Sequence, residues 1–532
     1  MSRTISPKSL HDLILKALAN DGTELAIVDV REEQAFADNH LLYAISVPLS
    51  RLELLMADLA PRRAVTVVLC DAGNGDLSNR AATMLESFGY TSVSILEGGV
   101  AGWAKAGYET YAGFNVPSKA FGEHVEHHFG TPSVSAEQLH AMIASKQNIV
   151  ILDSRPMDEY NTMNIPGATC CPGGELVYRV QEIAPDPETT VVVNCAGRTR
   201  SIIGAQSLIN AGIPNKVVAL QNGTMGWHLS GFQLEHGNTR LHPDPSAPAV
   251  AAAQQWANDV EHRFQVAHAT LDQVRAWQKD TSRSLYLVDV RTHDEYNAGH
   301  LAGSKHAPGG QLVQATDRYA GVRGARVVTI CDTGVRSAMA AHWLKQMNWD
   351  VYVLDGGLPA TGLAIGQDRK PVLGNPSDAP AISAADLKAA LDAKSTAVID
   401  LGYSRDYRKG HIPGAAFLIR SRLATDKANL PSAGSYVVTS EDGLAAAVAV
   451  SELSAALGVP VKALSGGTQA WRDAGLPLEA GETHLASEPT DVWLKPYERK
   501  GTVEDFMNEY LTWEIALVDQ IKKDDTVKFW SP

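Results

Sequence analysis

The stretch LYLVDVRTHDEYNAGHLAGS, residues 285–304, decides the fold. It opens as an apolar, partly β-branched run that stops at Asp289. A polar turn and a short helix-like segment follow, and His300 stands eleven residues after the aspartate. Three other segments repeat this layout: LAIVDVREEQAFADNHL from Leu25, IVILDSRPMDEYNTMNIPGA from Ile149 and TAVIDLGYSRDYRKGHIPGA from Thr396. Their aspartates are Asp29, Asp153 and Asp400, and His40, Asn164 and His411 occupy the position of His300.

The repeat continues outward from that segment. A second strand reads AVTVVLC, TVVVNC, RVVTIC or SYVVTS, and each leads through a loop into an amphipathic helix. In the second copy Ile202, Ala205, Leu208 and Ile209 share one helix face and Gly212 marks the stop. A further strand ends in LEGG, LQNG, LDGG or LSGG. Trp103, Trp227 and Trp471 follow three of these, and Thr361 stands there in the third copy. Short apolar strands alternating with helices imply a parallel sheet covered on both faces. The expected class is therefore α/β, with four tandem modules, each of about 110 residues and so of single-domain size. The boundaries expected are 1–113, 130–237, 262–366 and 380–478. Linkers are expected at 114–132, 237–258 and 367–380, the second holding the Pro/Ala-rich HPDPSAPAVAAA. The tail, 479–532, carries TVEDFMNEYLTWEIALVDQIKKD. It reads as one helix covering a domain face, with Phe506, Tyr510, Leu511, Ile515 and Val518 available to dock.

A formal charge of −14 over 532 residues argues against a general nucleic-acid or membrane-surface role, because both want a basic face. The N-terminal stretch MSRTISPKSLHDLILKALAN has no long apolar core, so neither a signal peptide nor a membrane span is expected. The cysteines are Cys70, Cys170, Cys171, Cys195 and Cys331. Five is too few for a disulfide framework and no C-x-x-C pair suggests zinc, which points to a reducing cytoplasm. His124, His127 and His128 in EHVEHH could ligate a metal if helical, but no motif accompanies them, and no metal is expected.

With its D-x-R segments, its GHLAG and HIPGA turns, its strand-to-cysteine loops and its GG…W endings, the chain resembles the rhodanese-family sulfurtransferases, as four tandem modules over residues 10–480. The resemblance implies a central parallel sheet flanked by helices and a cysteine that carries sulfur as a persulfide. Sulfur would pass from an anionic donor, thiosulfate foremost, to a thiol or cyanide acceptor. This is covalent double displacement and requires no cofactor.

Cys195 and Cys331 end strands and precede helices, where open α/β sheets carry their chemistry. The loops are Ala196, Gly197, Arg198, Thr199, Arg200 and Ser201 after the first, and Asp332, Thr333, Gly334, Val335, Arg336 and Ser337 after the second. Inward N–H groups, a helix N-terminus and the arginines would favour thiolate and attract an anion. Cys195 has the most basic loop and is the first choice of nucleophile, with Cys331 second. Both loops are C-x4-R, one residue shorter than the C-x5-R loops that related cysteine phosphatases resemble. Cys70 is followed by CDAGNGDLS, longer, acidic and without arginine, and Ser440 replaces the cysteine in the fourth copy. These two modules read as inactive.

Cys170 and Cys171 read as structural. Arg155 and Arg291 are expected to pair with Glu159 and Glu295 and to pin the turn. Three alternatives stay open: 3-mercaptopyruvate as donor, a scaffold that docks a protein sulfur acceptor, and a cysteine phosphatase.

Overall fold

The computed structural model describes residues 3–367 and 370–531. It contains four five-stranded sheets with one shared strand order, 1-5-4-2-3 by position within the module. In the third module the strands are Ala267–Ala269, Leu285–Asp289, Lys305–His306, Arg326–Ile330 and Asp350–Leu354, and all neighbouring strands run parallel. Val-rich central strands such as Thr190–Asn194 are buried along nearly their whole length, as a sheet covered on both faces requires. The central strand of each module ends at the loop position: Cys70 closes Thr66–Cys70, while Cys195, Cys331 and Ser440 follow Asn194, Ile330 and Thr439.

The aspartate of the repeat is a buried brace. Asp289 accepts hydrogen bonds from Arg291 N at 3.1 Å, Nε at 3.0 Å and Nη2 at 2.7 Å, and Nη2 also donates to the Gly299 carbonyl at 2.6 Å. Arg155 makes the same clasp with Asp153 and the Met163 carbonyl, and Arg31 with Asp29. A buried carboxylate is tolerated when it is paired and hydrogen-bonded in this way. The expected pairing of Arg155 with Glu159, and of Arg291 with Glu295, is therefore corrected: each arginine closes on its own aspartate two residues back. The repeat histidines brace the next turn. His300 stacks on Tyr296 at 3.8 Å with its Nδ1 2.9 Å from the Tyr296 carbonyl, and His411 does the same on Tyr407.

Two expected linkers are helices. We number the helices that matter here in chain order: α1, Val116–Phe129; α2, Thr199–Ala211; α3, Ala247–Arg263; α4, Val335–Gln346; α5, Val503–Ile521. Proline sits in the first turn of both α1 and α3, where its missing N–H costs nothing. The alanines of the expected spacer are strong helix formers, and Ala249, Ala253 and Ala257 bury one stripe of α3. Of the third expected linker, 367–380, residues 368 and 369 lie outside the described residues. Among the described residues the third module has no helix after Leu354, where the others have Gly99–Lys105, Gly223–Leu229 and Gly467–Asp473. Its sequence there, GGLPATG, interrupts the segment with Pro359 and Gly362.

The chain divides into two compact units that are discontinuous in sequence. One holds the first and fourth modules, Ala26–Phe114 and Lys370–Leu494. Within it Arg420 forks onto Glu53 at 2.9 and 3.0 Å. The other holds the second and third modules with the C-terminal segment. Within it the turns Gly173–Gly174 and Gly309–Gly310 meet backbone to backbone. A Cβ on Gly174 would lie 2.9 Å from Gly310 N, so only glycine fits. α1 packs on α2, and α5 packs on α1.

Candidate active site

The four loops after the central strands use their polar groups differently. At Cys331 the backbone turns in toward the sulfur. Gly334 N donates to Sγ at 3.1 Å and Ser337 N at 3.4 Å. Gly334 has φ +83°, a left-handed conformation that suits glycine and brings its N–H inward. Thr333 Oγ1, Arg336 Nε and Ser337 Oγ are buried and have no hydrogen-bond partner among the described residues. The loop itself reaches solvent, with Asp332 exposed and Thr333 and Gly334 half-buried.

At Cys195 the sulfur lies 3.6 Å from Ser201 Oγ, which itself donates to the Arg198 carbonyl at 2.8 Å. Every residue from Cys195 to Thr199 is buried. The two arginines of this loop part company. Arg200 forks onto Glu159 at 2.8 and 3.2 Å. Arg198 turns to α1, with Nε and Nη2 each 2.7 Å from Glu123, a further contact to Glu126, and Nη1 3.2 Å from Asn222. The expectation that Arg198 attracts an anion to the sulfur is corrected. Helix α1, taken for a linker in the sequence, supplies the carboxylates that hold it.

Arg336 is bound likewise. It meets Glu295 at 2.7 and 2.8 Å, Glu175 at 3.0 Å and Asp332 at 2.9 Å. The glutamates expected to pair with Arg155 and Arg291 thus orient the C-x4-R arginines instead. Burial alone would raise the Glu159 and Glu295 carboxyls, but the guanidiniums outweigh it and hold both at about 2.

The two thiols do not follow the sequence expectation of a depressed pKa. Burial pushes both up, and it outweighs Arg200 with Ser201 at Cys195 and Arg336 with Ser337 at Cys331. Cys170 and Cys171 are buried and also raised, Cys170 to about 12, burial being the first cause. The Cys170 ring of neighbours includes Tyr160, Ile165 and Trp227, a core setting.

The outer modules explain themselves. In the first, the Asp71 carboxylate takes the loop N–H groups of Gly73 at 2.9 Å, Gly75 at 3.2 Å and Ser78 at 3.2 Å. Cys70 Sγ instead faces the Val28 carbonyl at 3.6 Å. In the fourth, Ser440 Oγ accepts from Ala446 N at 3.3 Å, the contact that Ser337 N makes to Cys331. Among the described residues no group of three or more metal-ligating side chains could hold a metal. His124 and His128 stack with ring centroids 5.5 Å apart within α1.

One contributor was missed in the sequence. α5 lies over the Cys195 loop: Thr199 Oγ1 donates to Glu514 Oε1 at 2.7 Å, and Met507 and Leu511 cluster with Ala196 and Met225. The tail helix was expected to cover a domain face, and it does. Of the residues named to dock, Leu511 and Val518 are buried, whereas Ile515 is exposed. Glu514, the polar anchor, lies in the tail sequence with nothing local to signal its partner.

A rhodanese-like domain model matches residues 12–106, 135–230, 270–362 and 383–474. Among solved structures, a thiosulfate sulfurtransferase from Pseudomonas aeruginosa is similar over the whole length, with TM-score 0.95, 47% identity and 99% of each chain covered. An uncharacterized protein of Synechocystis is 35% identical over 114 residues, which is 21% of this chain and 59% of that protein. The chain thus spans less than two thirds of that curated relative. No helix among the described residues is long and apolar enough to cross a membrane. Four family matches on four equivalent sheets, with one whole-chain likeness, make a single assignment: the chain belongs to the rhodanese family and is a rhodanese-type sulfurtransferase.

Proposed function

We propose that the chain moves sulfane sulfur from thiosulfate, through a persulfide on Cys331 and on Cys195, to a thiol or to cyanide. One observation carries this reading. Around Cys331 two loop amides already point at the sulfur, and three further polar atoms are buried without partners. Unpaired buried donors are costly unless a ligand satisfies them. A persulfide and a sulfonate both supply the missing acceptors. The name of the Pseudomonas aeruginosa neighbour supports thiosulfate over 3-mercaptopyruvate as donor.

In the first step the thiolate attacks the outer sulfur of thiosulfate. A new S–S bond forms, the old one breaks, and sulfite departs with its electron pair. The persulfide's terminal anion takes the place of the donor sulfur against the loop N–H groups. In the second step an acceptor thiolate, or cyanide, attacks that outer sulfur and the cysteine thiolate leaves. Glu295 and Glu159 hold the arginines at each loop in one orientation. The compartment in this reading is the reducing cytoplasm, in keeping with five free cysteines.

Sulfite release from thiosulfate, measured for wild type, Cys195→Ser, Cys331→Ser and the double variant, tests the assignment. The double variant is expected to lose activity. Full activity in the double variant would refute it.

A further inference from the structure

The Cys195 and Cys331 loops share a sequence pattern and differ in what lies on top. Gly334 and its neighbours face solvent, whereas Gly197 faces α5. A Cβ on Gly197 would lie 3.2 Å from Glu514 Oε2, 3.3 Å from Tyr510 Cε1 and 3.7 Å from Leu511 Cδ2. Glu514 is 1% exposed. Its Oε1 accepts from Thr199 Oγ1, while its Oε2 is buried with no hydrogen-bond partner among the described residues. A carboxylate therefore stands over the loop between Gly197 and Thr199. Lys119 of α1 is close enough to feel the Glu514 charge, and its Nζ donates to Tyr510 OH at 2.5 Å and lies over the Tyr510 and Trp513 rings.

The first module offers the comparison. There Asp71 receives the amides of its own loop, and the anion's place is filled from within. At Cys195 the carboxylate over the loop, Glu514, comes from the far end of the chain and accepts from the Thr199 hydroxyl. At Cys331 the loop amides of Gly334 and Ser337 point at the sulfur itself, and no carboxylate takes them.

Resting on the sulfur-transfer reading above, we propose that Glu514 is a specificity-determining residue of the Cys195 site. It stands over that loop, turns Cys195 against anionic donors and leaves it to uncharged sulfane-sulfur donors such as a neutral hydropersulfide RSSH, whose outer sulfur the Cys195 thiolate takes while RS– leaves with the electron pair of the broken S–S bond. The dianionic donor then loads Cys331. The unpaired Oε2 remains as an acceptor for an S–H, O–H or N–H of the small molecule that enters. Like charges a few ångströms apart in a buried site repel strongly enough to reverse a preference.

Two probes of nearly equal size and different charge test this on the full chain. Iodoacetamide and iodoacetate are applied separately, and alkylation of each cysteine is followed by peptide mass spectrometry. In wild type, Cys195 is expected to react at least about tenfold faster with iodoacetamide than with iodoacetate, relative to the same ratio at Cys331. Glu514→Gln is expected to erase that excess at Cys195 and leave the Cys331 ratio unchanged. It should also raise sulfur loading of Cys195 by thiosulfate about tenfold, a gain that misfolding does not produce. Equal ratios at the two cysteines in wild type, or an unchanged ratio in Glu514→Gln, would overturn the proposal. Because the alkylation arm contains no thiosulfate, failure of the donor assignment is read separately, as absence of an adduct on Cys331.

Discussion

Glu295 clasps Arg336 through both carboxylate oxygens, at 2.7 and 2.8 Å, and the guanidinium it holds belongs to the Cys331 loop. The acid that follows the D-x-R turn is thus a brace for the candidate nucleophile's loop. Burial would raise its carboxyl, but the Arg336 hydrogen bond and charge outweigh that and hold it at about 2, against an ordinary 4.5. A depressed carboxyl stabilises the fold above its unfolded value and loses that stabilisation as pH falls through the folded one. Glu295→Gln is expected to melt earlier than wild type at pH 7. The gap should close between about pH 4.5 and pH 2. Melting curves across that range check it, and a gap of constant size would contradict it.

Asp400 predicts the opposite slope. The fourth module lacks the D-x-R arginine, and Asp400 Oδ1 accepts from Gly402 N at 2.7 Å. Burial, only partly opposed by that bond, lifts the carboxyl from 3.8 to about 7. The folded state then holds a proton that the unfolded state has lost, so stability falls as pH rises from about 4 to 7. Asp400→Asn keeps the bond and carries no charge. It is expected to be as stable as wild type near pH 4 and about 2–4 kcal/mol more stable at pH 8, measured by denaturant unfolding of the full chain.

Arg198 is expected to matter for stability rather than for donor binding. Its side chain and that of Glu123 are both buried, and they pair at 2.7 Å. Arg198→Ala leaves Glu123 without its partner and should cost about 3 kcal/mol. KM for thiosulfate should stay within about twofold of wild type, because this guanidinium faces α1 and away from the sulfur. A large rise in KM with unchanged stability would return Arg198 to the donor site.

Both candidate thiols are pushed up by burial. At neutral pH the reactive thiolate is then the minor form, and its share grows with pH until the folded pKa is reached. Loading by thiosulfate is expected to rise about tenfold per pH unit through neutrality. Stopped-time sulfite release at fixed ionic strength measures it. A flat profile from pH 6 to 8 would show a thiolate already formed.

The sheets were legible because their signal is local and repeated. Asp289 ending a strand and His300 eleven residues on are read from twenty residues, and four copies fix the register. The loops at Cys195 and Cys331 followed from strand ends. What stayed hidden depends on partners far along the chain. Arg198 looks like an anion ligand until Glu123, in a supposed linker, closes on it. The α3 segment reads as a Pro/Ala-rich spacer within a linker, although its alanines bury against the second and third modules. Glu514 reaches Thr199 across 315 residues, and no local pattern carries that information. Basicity of the loop placed Cys195 ahead of Cys331. The structure gives Cys331 the inward amides and the unpartnered donors.

The most direct test is where the sulfur goes. The full chain is incubated with thiosulfate, freed of donor, and its cysteine peptides are weighed without reduction. The account predicts a gain of one sulfur atom, about 32 Da, on the Cys331 peptide, a slower gain on the Cys195 peptide, and none on Cys70, Cys170 or Cys171. An adduct on Cys70, or sulfite release with no adduct on Cys331 or Cys195, would contradict it.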